Sequence, residues 1–190
     1  SDLSQELLDV VDENDRVIGA RTRGEIHARG LMHRATHILV FNSQGELFLQ
    51  KRSMSKDENP GLWDTSAAGH VNSGEDYLTC AVRELDEELG ISGDVSLKLL
   101  FRLPVSSLTG MEHSTVYACQ YDGPLKLQAE EIDEGLWVSP QAMSQRVKDS
   151  DPSLTDGAKL IWKWYCSRYG PFPWGDIQPG SPRYQDQMGA

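Results

Sequence analysis

Cysteine, basic charge and long apolar runs are all scarce in this chain. Its three cysteines, Cys80, Cys119 and Cys166, are an odd number without paired spacing. That argues against a disulfide framework and for reduced thiols in a cytoplasmic protein. Lysine and arginine together number 18 against 29 acidic residues, a formal net charge of −11. A nucleic-acid polymer or an anionic membrane needs a basic footprint, so neither is expected as the main partner. A small anionic molecule is not excluded, because bound metal and a few cations can override the global field. No apolar run approaches transmembrane length, and no signal segment is expected before the first strand. Internal repeats and domain linkers are also lacking. With 190 residues the chain suggests one domain over 1–175, followed by a disordered tail over 176–190 rich in proline and glycine.

The elements alternate between strand and helix patterns. A hairpin is expected from Glu6 to Asp12 and back through Arg16 to Ala20. Thr22 to Glu25 has capping-box spacing and opens a short helix that Gly30 stops. Ala35 to Phe41 reads as a strong strand, turned by Asn42 to Gly45 into a half-buried partner from Glu46 to Arg52. Leu62 to Ala68 is a short strand. Further strands are expected at Val95 to Val105, Glu112 to Tyr121 and Ile132 to Val138. Ser139-Pro140 opens a helix, and Leu154 to Tyr169 forms a last one carrying Trp162 and Trp164, which suit a core or a dimer surface. The fold class is therefore α/β with a mixed sheet between helices.

The stretch from Gly69 to Ile91 is a glycine-bearing loop running into about four turns of helix. Near its end stand Glu84, Glu87 and Glu88, whose spacing puts them on one helix face. Placing Glu84 at zero, with ~100° per residue, sets Glu87 near ~300° and Glu88 near ~40°. Leu78, Val82, Leu85 and Leu89 fall between ~100° and ~160° and form the expected core stripe. Like charges at this spacing, near a helix C-terminus, oppose helix formation. A hard divalent cation would reverse the sign of both effects.

Gly69, Glu75, Arg83-Glu84, Leu85, Glu87-Glu88 and Gly90-Ile91 fill every specified position of the Nudix signature, and the chain resembles a Nudix hydrolase. The resemblance implies an α/β/α sandwich and hydrolysis of a diphosphate linkage with Mg²⁺ or Mn²⁺. It implies that Gly69, Glu84, Glu87 and Glu88 bind the metal, and that Arg83 pairs with Glu75 to hold the loop against the helix. As the group taking a proton from the attacking water, Glu84 and Glu87 rank first and Glu112 next. Glu130 and Glu131 are weaker candidates. Cys80 lies beside the carboxylates with no base at a suitable spacing and reads as structural. Trp63, next to the signature loop, suits a substrate contact or a core position equally.

Leu31 to Ala35, Gln50-Lys51-Arg52, Pro60 to Trp63 and Gly69-His70 further resemble the type 1 isopentenyl-diphosphate isomerase branch. In that branch residues matching Arg52 and Lys56 contact the diphosphate. Histidines matching His27, His33 and His70, with a glutamate matching Glu112, surround a metal. Two departures count against isomerase activity. Ala68 stands where the isomerase has its proton-transferring cysteine, and Gly110 stands where a second metal-binding glutamate is expected. The reading is a hydrolase of a small organic or nucleoside diphosphate or triphosphate. Isomerisation and a non-catalytic diphosphate sensor are the alternatives, and a homodimer is the expected assembly.

Overall fold

A computed structural model describes residues 3–93 and 95–170 of the chain. The expected tail at 176–190 lies outside the described residues. An N-terminal hairpin of β1 (Leu7–Val11) and β2 (Val17–Thr22) leads into α1 (Arg23–Arg29). Thr22 caps that helix by accepting from the Glu25 amide, and Gly30 ends it in the left-handed conformation at φ 63°, as the capping spacing predicts. The main sheet is built from β3 (His33–Phe41), β4 (Leu47–Arg52), β5 (Trp63–Asp64), β6 (Ala67–His70), β7 (Lys98–Leu103), β8 (Glu112–Gln120) and β9 (Ile132–Val138). Helix α2 (Tyr77–Leu89) follows β6, and α3 (Pro140–Lys148) and α4 (Asp156–Tyr169) close the chain.

The sheet is mixed. Its order is β5-β4-β3-β8-β7, with β6 also on β3 and β9 also on β4. β3 runs parallel to β8 along its whole length, from His33 opposite Glu112 to Phe41 opposite Gln120. Successive side chains of a strand face opposite sides, and β3 feeds two cores. Ile38 and Val40 pack with Ala81, Leu85 and Leu89 of α2, whereas Leu39 and Phe41 pack with Met143 of α3 and Ile161, Trp162 and Tyr165 of α4. The result is the α/β/α sandwich that the sequence implies. Trp162 is a core residue, its ring nitrogen donating to Ser144 Oγ at 2.9 Å. Among the described residues no helix is long and apolar enough to cross a membrane.

Several local expectations need correction. β4 is not half-buried: Leu47, Phe48, Leu49 and Gln50 are all buried, because a central strand of a sandwich is covered on both faces. The turn after Phe41 forms, but β3 and β4 pair only at Phe41 and Leu47. Beyond that point β6 occupies the edge of β3, with Gly69 opposite Thr36 and Ala68 opposite His37. The strand expected from Leu62 to Ala68 is split at Thr65-Ser66 into β5 and β6, which pair with different neighbours. On α2 the expected apolar stripe is displaced. Leu78 and Val82 are exposed, and the buried face carries Cys80, Ala81, Glu84, Leu85, Glu88 and Leu89. Glu75 lies at the end of the signature loop, just before the N-cap Asp76.

Candidate functional site

Helix α2 is fixed at both ends by local chemistry. Asp76 Oδ1 accepts from the Thr79 amide at 2.7 Å, and Gly90 at φ 68° returns its N–H to Asp86 and Leu85 carbonyls. Between these caps the helix turns Glu84 and Glu88 into the molecule, against the small residues Ala68 and Gly69 of β6. A Cβ on Gly69 would stand 2.2 Å from the carboxyl carbon of Glu84, so only glycine admits that carboxylate. Glu88 Oε1 accepts from the Ala68 amide at 3.0 Å and from the side-chain amide of buried Gln50 at 3.4 Å. Glu87 stays exposed at the rim.

Arg83 binds the loop to the helix. Its Nε and Nη2 donate to the two carboxylate oxygens of Glu75 at 2.9 and 3.0 Å. Nη1 reaches Glu84 at 2.7 Å and Glu87 at 3.3 Å, and Nη2 also donates to the His70 carbonyl at 3.2 Å. Burial and the Glu87 charge push the Glu84 carboxyl up to about 7, against the pull of Arg83. Burial, reinforced by Glu84, holds Glu88 well above the usual carboxylate range. Burial alone would raise Glu75, but Arg83 outweighs it and the group is lowered. Cys80 is buried, its Sγ 3.4 Å from the His70 carbonyl, and burial pushes its thiol up to about 12, which suits a packing role.

These groups form one wall of a cavity of about 240 Å³. Lys56 lines the same cavity, ion-paired with Glu131. Arg52 Nη1 donates to Asp64 at 3.3 Å, and Arg23 pairs with Asp57 at 3.1 Å. Glu130 is exposed and does not line the cavity, whereas Glu131 does. Trp63 does not line it either and packs against the core beside α4. Eight acidic residues face four basic ones there: Glu6, Glu58, Asp64, Glu84, Glu87, Glu88, Glu112 and Glu131 against Arg23, Arg52, Lys56 and Arg83. That excess, with two carboxylates too buried to ionise readily, fits a hard divalent cation.

Beside the cavity, which His70 lines, His27 of α1, His33 of β3 and His70 of β6 converge, with one ligand atom from each inside a 4.8 Å cluster. Glu112 Oε2 lies 2.8 Å from His70 Nε2 and 3.3 Å from His33 Nε2. Burial would raise Glu112, but the two imidazoles hold it far below the usual range. The same contact outweighs burial at His33 and raises it, whereas burial lowers His27. The set could hold a cation. Gly110 occupies the end of a short 3-10 turn (Ser107–Thr109) at φ 68°, a backbone conformation that a glutamate would adopt only with strain.

Four residues of this site escaped sequence reasoning: His37, Gln50, Asp64 and Thr65. All four are buried polar side chains on or beside the cavity. For His37 the signal available was a polar residue inside the strongly apolar β3 run; Gln50, Asp64 and Thr65 carried none, because their burial depends on the packed sheet.

A family model for the NUDIX domain matches residues 31–157. A Pseudomonas aeruginosa protein named an uncharacterized Nudix hydrolase is 45% identical over 156 residues, covering 82% of this chain and 91% of its own. An isopentenyl-diphosphate Delta-isomerase of Serratia proteamaculans is 33% identical over 153 residues, covering 79% of this chain and 86% of its own. A crystal structure of a Deinococcus radiodurans protein superposes with a TM-score of 0.74 at 31% identity, covering 84% of this chain and 99% of that one.

Proposed function

The chain belongs to the Nudix hydrolase family, near its isopentenyl-diphosphate isomerase-like branch, and from that premise we propose that it cleaves a diphosphate linkage in a small organic or nucleoside diphosphate or triphosphate, assisted by Mg²⁺ or Mn²⁺. The observation that carries this reading is the contact of the Glu84 carboxylate with Gly69, beside the buried Glu88. Such a cluster is costly without a cation and well suited to one. Glu84, Glu87 and Glu88, with the Gly69 carbonyl, would hold the metal. When bound, it would neutralise phosphoryl oxygens and acidify a water.

The chain's own residues do the rest. Arg83 and Glu75 brace the loop and keep the carboxylates oriented. Arg52 and Lys56 contact the diphosphate once it displaces Asp64 and Glu131 from them. Glu84 and Glu87, which both line the cavity, are the favoured acceptors for the proton of the attacking water, since a general base must lie within hydrogen-bond reach of that water. Glu112 is a poor base, because His33 and His70 stabilise its ionised form. The test is phosphate or pyrophosphate release from a diphosphate panel with Mg²⁺ or Mn²⁺. Glu87→Gln and Glu88→Gln should each lose about 100-fold or more, in the range of other disrupted charge-stabilising groups. Wild-type rates in both variants would sink the assignment.

The convergence of His27, His33 and His70, with Glu112 against two of them, favours a second cation site. Metal counting by mass spectrometry should then find one equivalent fewer in His33→Gln than in wild type. Isomerase activity is disfavoured by Ala68, which carries no transferable proton. Deuterium entering isopentenyl diphosphate from D₂O would revive it. A non-catalytic sensor would bind a diphosphate tightly without turning it over. The free thiols and net acidity support a small-molecule partner in the cytoplasm, with 1–175 acting as one domain, as a monomer or homodimer.

A further inference from the structure

His37 is a buried imidazole that the reading above leaves without a task. It sits in mid-β3, opposite Ala68, and lines the same cavity as Arg52 and the carboxylates. Its Nδ1 lies 2.7 Å from the hydroxyl of Thr65, which is 2% exposed. The Thr65 hydroxyl makes no other hydrogen bond among the described residues. A buried hydroxyl proton left without an acceptor is costly, so Thr65 donates to Nδ1. The neutral ring then carries its proton on Nε2. Nε2 has no protein partner among the described residues, and the ring borders the cavity.

The preceding residue holds a second donor of the cavity. Asp64 is buried and accepts from Thr155 Oγ1 at 3.1 Å and from the Thr65 amide at 2.8 Å, while its other oxygen holds Arg52 Nη1 at 3.3 Å. Consecutive residues thus hold two N–H donors of the cavity wall: Thr65 orients His37, and Asp64 occupies Arg52 until an anion takes its place. A buried polar chain of this kind is rigid when satisfied, and preorganised donors suit an anionic oxygen.

We infer that His37 is a substrate-binding residue, its Nε2–H donating to a phosphoryl oxygen of the diphosphate that Arg52 also engages, with Thr65 as its positioning residue. The inference rests on the cavity being a diphosphate site. It adds an imidazole donor to the charged contacts and gives a task to Thr65, which lies at the break between β5 and β6.

The test is calorimetric titration of imidodiphosphate into the Mn²⁺-loaded full chain, alongside Mn²⁺ affinity by electron paramagnetic resonance. His37→Leu should weaken imidodiphosphate about tenfold, the usual loss for a hydrogen bond to a charged group. His37→Gln, which keeps an N–H donor, should recover most of that loss. Thr65→Val should weaken binding by roughly two- to fivefold through the unanchored ring. Mn²⁺ affinity should stay within about twofold of wild type in all three, because none of the residues is placed on the metal. Unchanged imidodiphosphate affinity in His37→Leu overturns the inference, as does a parallel loss of Mn²⁺ or a wild-type chain that does not bind imidodiphosphate. If His37→Leu fails to fold, unchanged affinity in Thr65→Val has the same force. A chain that binds imidodiphosphate through His37 but releases no phosphate from any diphosphate would sink the hydrolase reading and leave this one standing.

Discussion

Glu84 and Glu88 are carboxylates placed where carboxylates are costly, and that cost is measurable. Both have folded-state pKa values raised above the ordinary value of 4.5, Glu84 to about 7. The native state therefore holds protons that the unfolded chain has released, so stability falls as pH rises from about 4.5 through 7. In EDTA, thermal melts between pH 5 and pH 8 should show a falling Tm, and the fall should be shallower in Glu88→Gln. At pH 8 that variant should be the more stable protein without metal, although it is the less active one with it. A Tm that is flat in EDTA for both proteins would mean that burial does not govern these groups. Gly69→Ala makes the opposite point. Its methyl would stand 2.2 Å from the Glu84 carboxyl, so Glu84 must leave its place. Activity should drop by about 100-fold or more and Mn²⁺ should no longer raise Tm, while circular dichroism at low temperature stays that of a folded protein.

At the scale of elements, α2 and the N-terminal hairpin act together. Residues 31–157 carry the family match, yet β1 lies before them and grips the signature loop. Asp9 accepts from Ser73 Oγ at 2.8 Å and from the Gly74 amide at 3.3 Å, and the Ser73 amide donates to the Leu7 carbonyl at 2.9 Å. The hairpin tip is held as well: Arg34 Nε and the Tyr77 hydroxyl both donate to Asp15 at 2.8 Å. Asp9→Ala should cost about 1–2 kcal/mol in urea unfolding, since it leaves partly buried donors without an acceptor. It should also lower kcat more than Asp76→Ala does. Asp76→Ala removes only a helix cap and should cost about 1 kcal/mol. Equal kcat in the two variants would show that the hairpin supports the fold but not the loop. The bonds of Asp9 to the loop and of Tyr77 to Asp15 were not legible in the sequence, because they join segments more than sixty residues apart. The caps of α1 and α3 were better marked, since the bonds that Thr22 and Ser139 accept span three residues.

For the molecule as a whole, the net charge of −11 opposes the approach of an anionic substrate. With metal saturating, raising salt from about 20 to 200 mM should increase kcat/KM by roughly two- to fivefold through screening. A steep decrease in stopped-flow or steady-state assays would mean that the local cations dominate the field. The sequence by itself determined the family, the mixed α/β architecture and the carboxylate row of α2. Those features rest on local geometry, a helical repeat and a glycine at a set distance, which spacing along the chain encodes directly. The tertiary structure decided which carboxylates are buried, because burial depends on what packs against the helix: Glu84 and Glu88 lie inside while Leu78 and Val82 face out. It also decided that His27, His33 and His70 meet, that Lys56 finds Glu131, and that His37 faces the cavity beside Arg52. Each of these depends on strand register between distant segments, and register is a property of the assembled sheet that no single stretch of the chain contains.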